Sequence, residues 1–395
     1  MKSSIPVAKE FEKRGEQIEF YFLHKESEES ILHMKEIGFD WDAAHIKYED
    51  IKHIECDVAH LVLPGPVTRK VTRALYEKTD RPLIVSGLVG LLSIGISDCY
   101  YSRQGCDLIY VGSSENKRLL GEFAQKMGHN PERIVNTGLP IFDKLTEIKK
   151  KPHQRKKIVF AGQPTFPSSL AQRIYIVKKL KEMARARPEW DIVLKPRHRL
   201  EQTTYHKVEF HYELIVKAQE KIDPNPSNFS IDYTPLTKLF ETTDMLITVS
   251  STAGLESAVG GIETVFLADF GVTEAYGNQI LMDSGCFMLF DEVSMGESPI
   301  LSSGWLQKNI TFGSGNVVSV VDMVLSKADY RAFEVNPVER WGEFERYLEG
   351  ERVREYVYNP GLKSVAFQCV RRILKFVRNF KCFDRALRYV AKAAK

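Results

Sequence analysis

Residues 230 to 270, SIDYTPLTKLFETTDMLITVSSTAGLESAVGGIETVFLADF, leave this chain few folds to choose from. They set strand, helix, strand, turn, helix and strand in succession without slack. The run MLITVS, Met245 to Ser250, is short, apolar and β-prone, as a strand buried on both faces of a parallel sheet should be. Ser250, Ser251 and Thr252 then open a helix through Ala253, Gly254, Leu255, Glu256 and Ala258. Unpaired backbone N–H groups and the positive end of the helix dipole are thereby predicted at the carboxyl end of the sheet, where open α/β sheets bind ligands. A phosphate suits that place. The alternative is that Ser251 or Thr252 serves only as a helix cap.

The same alternation runs through the rest of the chain. Strands are expected at Ile18 to Leu23, Ala59 to Leu63, Leu83 to Val85, Asp107 to Val111 and Arg133 to Thr137, with helical stretches between them. This first half closes with RIVNTGLPIFDKL, and the basic, proline-containing stretch Glu147 to Lys157 reads as a linker. A second sheet begins with KIVFAGQPTFP, followed by a helix from about Leu170 to Ala186 and the strand Asp191 to Pro196. Phe287 to Phe290 and Val317 to Leu325 are expected to add a strand and a helix to the second half. Gly271 to Gln279, Glu292 to Ser298 and Ile310 to Asn316 read as loops. The expected fold class is α/β, GT-B-like in plan only in that two Rossmann-type domains face a cleft: residues 1–150, residues 151–330 with the nucleotide-binding half, and a helical tail over 331–395.

The tail carries its own signal. From Gly361 onward ten basic residues stand against one acid, Asp384, a local charge of +9 on a chain whose total is +3. Val370, Leu374, Val377, Phe380, Leu387 and Val390 recur at helical spacing between the cations. Such a basic amphipathic helix either packs back on the protein or lies on an anionic membrane surface. Leu83 to Ile96 is too short to span a bilayer, which takes roughly 18 to 20 apolar residues. The charged N-terminus lacks the apolar core of a signal peptide, so export is not expected. The six cysteines are scattered without metal-ligand spacing and read as reduced, cytoplasmic thiols. Nucleic-acid binding is disfavoured, because the basic excess is confined to the tail.

Several residues could carry chemistry. Lys195, Arg197, His198 and Arg199 follow the strand DIVL and would project from its carboxyl end as a site for phosphate or carboxylate, or as a solvated basic turn. Pro235 fits the first helical position and Thr234 the cap of the next helix, which leaves Asp232 free. A carboxylate at a strand end can be a nucleophile, or can hold an Asx turn. Gly162 permits close backbone approach after the first strand of the second half, with Gln163 beside it. Glu256 could accept ribose hydroxyls or be solvated. Asp40 and Asp42 form the one DxD pattern, far from the nucleotide half, and His60 reads as buried structure.

TGLPIFDKL, FAGQP and VSSTAGLESAV together resemble bacterial GT-B glycosyltransferases that build surface polysaccharides. With SIDYTPL, LKPRHR and the basic amphipathic end, the sequence resembles most the retaining β-Kdo transferases of glycosyltransferase family 99. The resemblance implies CMP-β-Kdo as donor and no metal cofactor. It implies as acceptor the non-reducing end of a lipopolysaccharide O-antigen glycan, lipid-linked at the inner face of the cytoplasmic membrane, and further domains of a larger synthase as partners. It implies Asp232 as the nucleophile of a double displacement. Ser250, Ser251, Thr252, Lys195, Arg197 and His198 would meet the CMP phosphate and the Kdo carboxylate, with Gln163 and Glu256 near the ribose. A CDP-polyol-dependent polyol phosphotransferase, a sugar-nucleotide 2-epimerase and a non-catalytic glycan-binding module remain as alternatives.

Overall fold

The structure, a computed structural model, describes residues 3–23, 31, 34–35, 38–88, 90, 92, 95–164, 166–200, 210–273, 276–311, 315–327 and 330–331. The apolar stripe of the basic tail lies outside these residues. No helix among them is long and apolar enough to cross a membrane.

Two parallel sheets organise the described residues. The first has four strands in the order β3-β4-β5-β6: Val58–Leu61, Leu83–Gly87, Leu108–Val111 and Ile134–Asn136. Helices α2 (Gly65–Tyr76), α3 (Ile96–Arg103) and α4 (Ser114–Lys126) make its crossovers. Strand β4 is buried at every position, as a central parallel strand must be. The strand expected at Ile18 to Leu23 forms, as β1 (Phe20–Phe22), but it pairs only with β2 (Ala43–His45) in a separate ribbon. Phe20, Phe39 and Trp41 cluster there with ring centroids about 5 to 6 Å apart, which gives the ribbon its own small core.

The second sheet has six strands in the order β12-β11-β10-β7-β8-β9. These are β7 (Lys156–Ala161), β8 (Trp190–Lys195), β9 (Phe229–Ile231), β10 (Met245–Thr248), β11 (Glu263–Leu267) and β12 (Phe287–Met288). Its helices include α6 (Leu170–Ala186), α7 (Tyr212–Glu220), α8 (Leu236–Leu239) and α9 (Thr252–Val259). The chain builds outward from β7 through β8 to β9, then restarts on the other side with β10. The C-terminal ends of β7 and β10 therefore flank the switch point, where such sheets open a crevice.

Helix α5 (Pro140–Asp143) lies in the TGLPIFDKL crossover, and three further helices, α10 (Phe290–Met295), α11 (Ser303–Asn309) and α12 (Asn316–Ser326), follow the second sheet. Two expectations need correction here. Glu292 to Met295 is helix rather than loop, because Glu292 reaches back to the N–H of Leu289 at 2.7 Å and caps the turn. The helix expected at Val317 to Leu325 forms as α12, yet it packs on the first half. Val320, Val321, Met323 and Val324 share a core with Val7 and Phe11 of α1 (Ser4–Lys13) and with Leu83, Val85, Leu108 and Tyr110 of the first sheet. Its apolar face fits the side of that sheet which the crossover helices leave bare.

The crossover segments are zipped to each other. Asp143 accepts hydrogen bonds from the N–H groups of Asn316 (3.1 Å) and Val317 (2.8 Å), so the start of α12 is capped from 173 residues away. Asn316 donates to Leu139 O at 3.1 Å, and Thr311 donates its N–H to Gly112 O at 3.0 Å. Gly138 holds φ +77°, and a Cβ there would stand 2.2 Å from Asn316 Oδ1. The glycine of TGLP is thus required by backbone conformation and by close approach together.

Candidate functional site

The switch-point crevice is built where β10 ends. Ser251 has extended backbone and accepts from Ala253 N at 3.2 Å, so it is the N-cap of α9. The capping role is therefore real: the cap bond goes to Ala253 N, and no described residue bonds the N–H of Ser251 or of Thr252. Gly254 lets α9 lie close on the sheet, since a Cβ there would meet Phe266 at 2.4 Å. Thr252 is exposed, and its methyl group would stand 3.1 Å from a Cβ on Gly90, in the loop after β4. The first half thus approaches the turn from the opposite side.

Gln163 spans the switch point. Its Oε1 accepts from Ser250 N at 2.9 Å, and its Nε2 donates to Ser250 Oγ at 3.3 Å. Thr248 Oγ1 also donates to Ala161 O at 3.0 Å, so the two central strands are joined at their ends by side chains as well as by the ladder. The amide expected near ribose is engaged with the phosphate-sized turn itself. Glu256 is 3% exposed, which removes the solvated alternative for that residue.

The basic loop stands one strand outward, on β8. Lys195 is half-buried and its carbonyl accepts from Gly162 N at 2.9 Å, while Arg197 is exposed. The His198 carbonyl accepts from His211 Nε2 at 3.0 Å, and His211 Nδ1 accepts from Glu213 N at 3.2 Å, which assigns His211 the neutral Nε2–H tautomer. Burial first, then the neighbouring His211, Arg197 and Arg173, holds His198 below the usual imidazole range. Its Nδ1 is buried and meets no hydrogen-bond partner among the described residues. Arg199 stacks over the Tyr233 ring at 4.6 Å.

Asp232 sits two strands from the switch point, at the end of the edge strand β9. Its N–H donates to Leu194 O at 3.1 Å, and its Oδ1 accepts from Thr234 N at 2.7 Å. The carboxylate is not free: it holds an Asx turn. Pro235, rather than Thr234, is the N-cap of α8, and no side chain caps that helix. With Pro235 unable to donate an N–H, the aspartate is what orders the turn. No other described residue bonds its carboxylate. Ile247, Phe160, Leu194 and Ile231 are register partners across four strands. Three spacings of about 4.8 Å set the end of β9 roughly 14 Å from the end of β10. The structure therefore brings together Gln163, Ser250, Ser251 and Thr252, sets Lys195 and Arg197 at the end of β8, two strands from β10, and keeps Asp232 one strand further out.

The sequence reading missed the buried frame behind these loops. Arg173, 2% exposed, donates to the carbonyls of Pro167 (2.8 Å), Phe210 (2.8 Å), Gln163 (3.1 Å) and Pro164 (2.7 Å), and stacks on Tyr212 at 4.8 Å. Among the described residues no carboxylate pairs with it. The signal was present, for Arg173 lies on the α6 stripe with Ile176, Val177 and Leu180.

Elsewhere, His60 bonds Tyr110 Oη at 2.9 Å across Gly87, and burial lowers its pKa to about 4, in keeping with a structural role. Asp40 pairs with Lys9 at 2.9 Å. Among the described residues no three His, Cys, Asp or Glu side chains gather as a metal site. Cys56, Cys99, Cys106 and Cys286 are free thiols, and Cys369 and Cys382 lie outside the described residues.

Solved structures show the same fold at low identity. The chain is similar to a UDP-GlcNAc 2-epimerase from Neisseria meningitidis bound to UDP-GlcNAc, with 12% identity, TM-score 0.59, and 82% of this chain and 96% of that one covered. A UDP-GlcNAc 2-epimerase from Methanocaldococcus jannaschii, in complex with UDP-GlcNAc and UDP, matches at 11% identity and TM-score 0.57, again over 82% and 96%. These likenesses establish a GT-B-like α/β architecture. No curated protein sequence matches the chain. Residues 36–318, which include both sheets and the switch-point crevice, match one family model, and the chain belongs to that family, described as "Putative glycosyltransferase (DUF6716)".

Proposed function

We propose that the protein transfers Kdo from CMP-β-Kdo to the non-reducing end of a lipopolysaccharide O-antigen glycan, at the inner face of the cytoplasmic membrane and without a metal. Membership of a glycosyltransferase family supports sugar transfer. The observation that carries the site is the pair of N–H groups at Ser251 and Thr252, beside the switch point, which no described residue bonds. Lys195 ends β8, the strand next to β7, and Arg197 follows it, so both stand at the same end of the sheet as that turn.

CMP-Kdo fits such a site because its phosphate and its C1 carboxylate both lie within a few bonds of the anomeric carbon. As the bond from that carbon to the phosphate oxygen breaks, the negative charge grows on CMP and the sugar becomes oxocarbenium-like. Fixed N–H dipoles and cations aimed at the departing phosphate lower that barrier without reorganising. An acceptor hydroxyl then attacks the anomeric carbon and passes its proton to the departing CMP phosphate.

A second reading, double displacement through Asp232, is favoured by its place beside the end of β8, where its N–H bonds Leu194 O, and by its second carboxylate oxygen, which no described residue bonds. It needs a different pose. The anomeric carbon is one oxygen away from phosphorus, so a donor whose phosphate rests on the Ser251 turn stays out of reach of Asp232. The aspartyl-Kdo adduct belongs with a phosphate held by Lys195 and Arg197 alone.

Intact-mass measurement with CMP-Kdo and no acceptor separates the two. A gain of one Kdo, lost in Asp232→Asn, sinks the first pose; glycan transfer at the wild-type rate in Asp232→Asn sinks the second. If CMP-Kdo is left untouched while UDP-GlcNAc is epimerised or CDP-glycerol is consumed, Kdo transfer is wrong altogether.

A further inference from the structure

We propose that Arg173 is a positioning residue, which aims the donor-phosphate turn by way of Gln163. The inference rests on the reading that the Ser250–Thr252 turn meets the donor phosphate.

Four carbonyls from two separate segments converge on this one side chain: Gln163, Pro164 and Pro167 after β7, and Phe210 at the entry to α7. Only the planar fork of an arginine offers donors in enough directions to hold them all. With the Gln163 and Pro164 carbonyls drawn inward, the Gln163 side chain is presented to β10, where it both accepts from and donates to Ser250. The N–H of Ser250 is thereby occupied by protein. Those of Ser251 and Thr252 are the ones left for an anion, so the relay sets both the direction and the width of the site.

His211 extends the frame. It follows Phe210 directly and ties the entry of α7 to His198 O, so the basic loop is referred to the same buried guanidinium. Among the described residues the polar partners of Arg173 are these carbonyls, which lie beneath the loop that the donor approaches.

Two variants and two measurements test this on the full chain. In Arg173→Lys and in Gln163→Ala, amide hydrogen exchange of the 249–253 segment in the ligand-free protein is expected to rise about tenfold or more. Affinity for CMP, measured by calorimetry, should fall about tenfold while cytidine binding changes less than about twofold. Gln163→Glu, which restores an acceptor for Ser250 N–H, should return exchange to the wild-type rate. Wild-type exchange at 249–253 in both variants, or equal losses of CMP and cytidine affinity, overturns the proposal. If Arg173→Lys fails to fold, Gln163→Ala decides alone. A wild-type protein that binds neither CMP nor cytidine defeats the donor reading, while the exchange result still judges the coupling of residue 163 to residue 250.

Discussion

The cap that Asp143 places on α12 invites a quantitative trial. Gly315 precedes that helix and offers no side chain, so the carboxylate is the acceptor for two of its opening N–H groups, at 3.1 and 2.8 Å. Loss of a helix cap costs about 0.5–2 kcal/mol, and loss of a negative charge at a helix N-terminus about 0.3–1 kcal/mol more. Asp143→Ala should therefore destabilise the protein by about 1–3 kcal/mol, and Asp143→Asn, which keeps one acceptor oxygen without the charge, by about half as much. The loss should fall on the first half, whose core α12 completes. Equilibrium urea unfolding, read as the shift in midpoint at unchanged slope, measures it. The reasoning is refuted if Asp143→Ala costs under about 0.5 kcal/mol, or if Asn and Ala are equally damaging.

Other outcomes follow from contacts already described. Gly87→Ala puts a Cβ 2.0 Å from the Tyr110 ring and should lower stability by about 1–3 kcal/mol or more, seen as a depressed melting temperature. His60 is held near 4 by burial, against 6.5 for the ordinary group, so the unfolded chain gains a proton that the folded chain refuses across that interval. Stability should thus fall as pH drops from about 6.5 to about 4, and in His60→Gln the corresponding part of the slope should vanish from pH-dependent unfolding curves. Ser251→Ala removes the α9 cap and should cost about 1 kcal/mol of stability, whereas Thr252→Ala, at an exposed position, should leave unfolding unchanged.

What could be read without coordinates was the local grammar. The β7, β8, β9 and β10 runs and the α6 helix lie within a few residues of their expected places, because buried parallel strands and an apolar helical stripe are written in adjacent residues. The Ser250–Thr252 turn was legible for the same reason. Partnerships at a distance were not. Nothing local to Val317–Leu325 says that its apolar face belongs to the first sheet, since an exposed stripe fits any bare apolar surface of the right width. Asp232 looked free because a proline and a threonine seemed to provide the helix start; the proline took the cap position and, lacking an N–H, left the turn to the aspartate. Arg173 was overlooked because charge suggests a surface, although its place among Ile176, Val177 and Leu180 pointed inward.

The return of α12 has a consequence for how the polypeptide is made. Val7, Phe11, Leu83, Val85, Leu108 and Tyr110 leave the ribosome long before Val320 and Val324, which close over them. The early half must therefore wait, its apolar surface uncovered, while the entire second sheet is synthesised and folds as an insert between its parts. A nascent chain halted before residue 316 should display that surface to chaperones, and one extended past residue 326 should bury it.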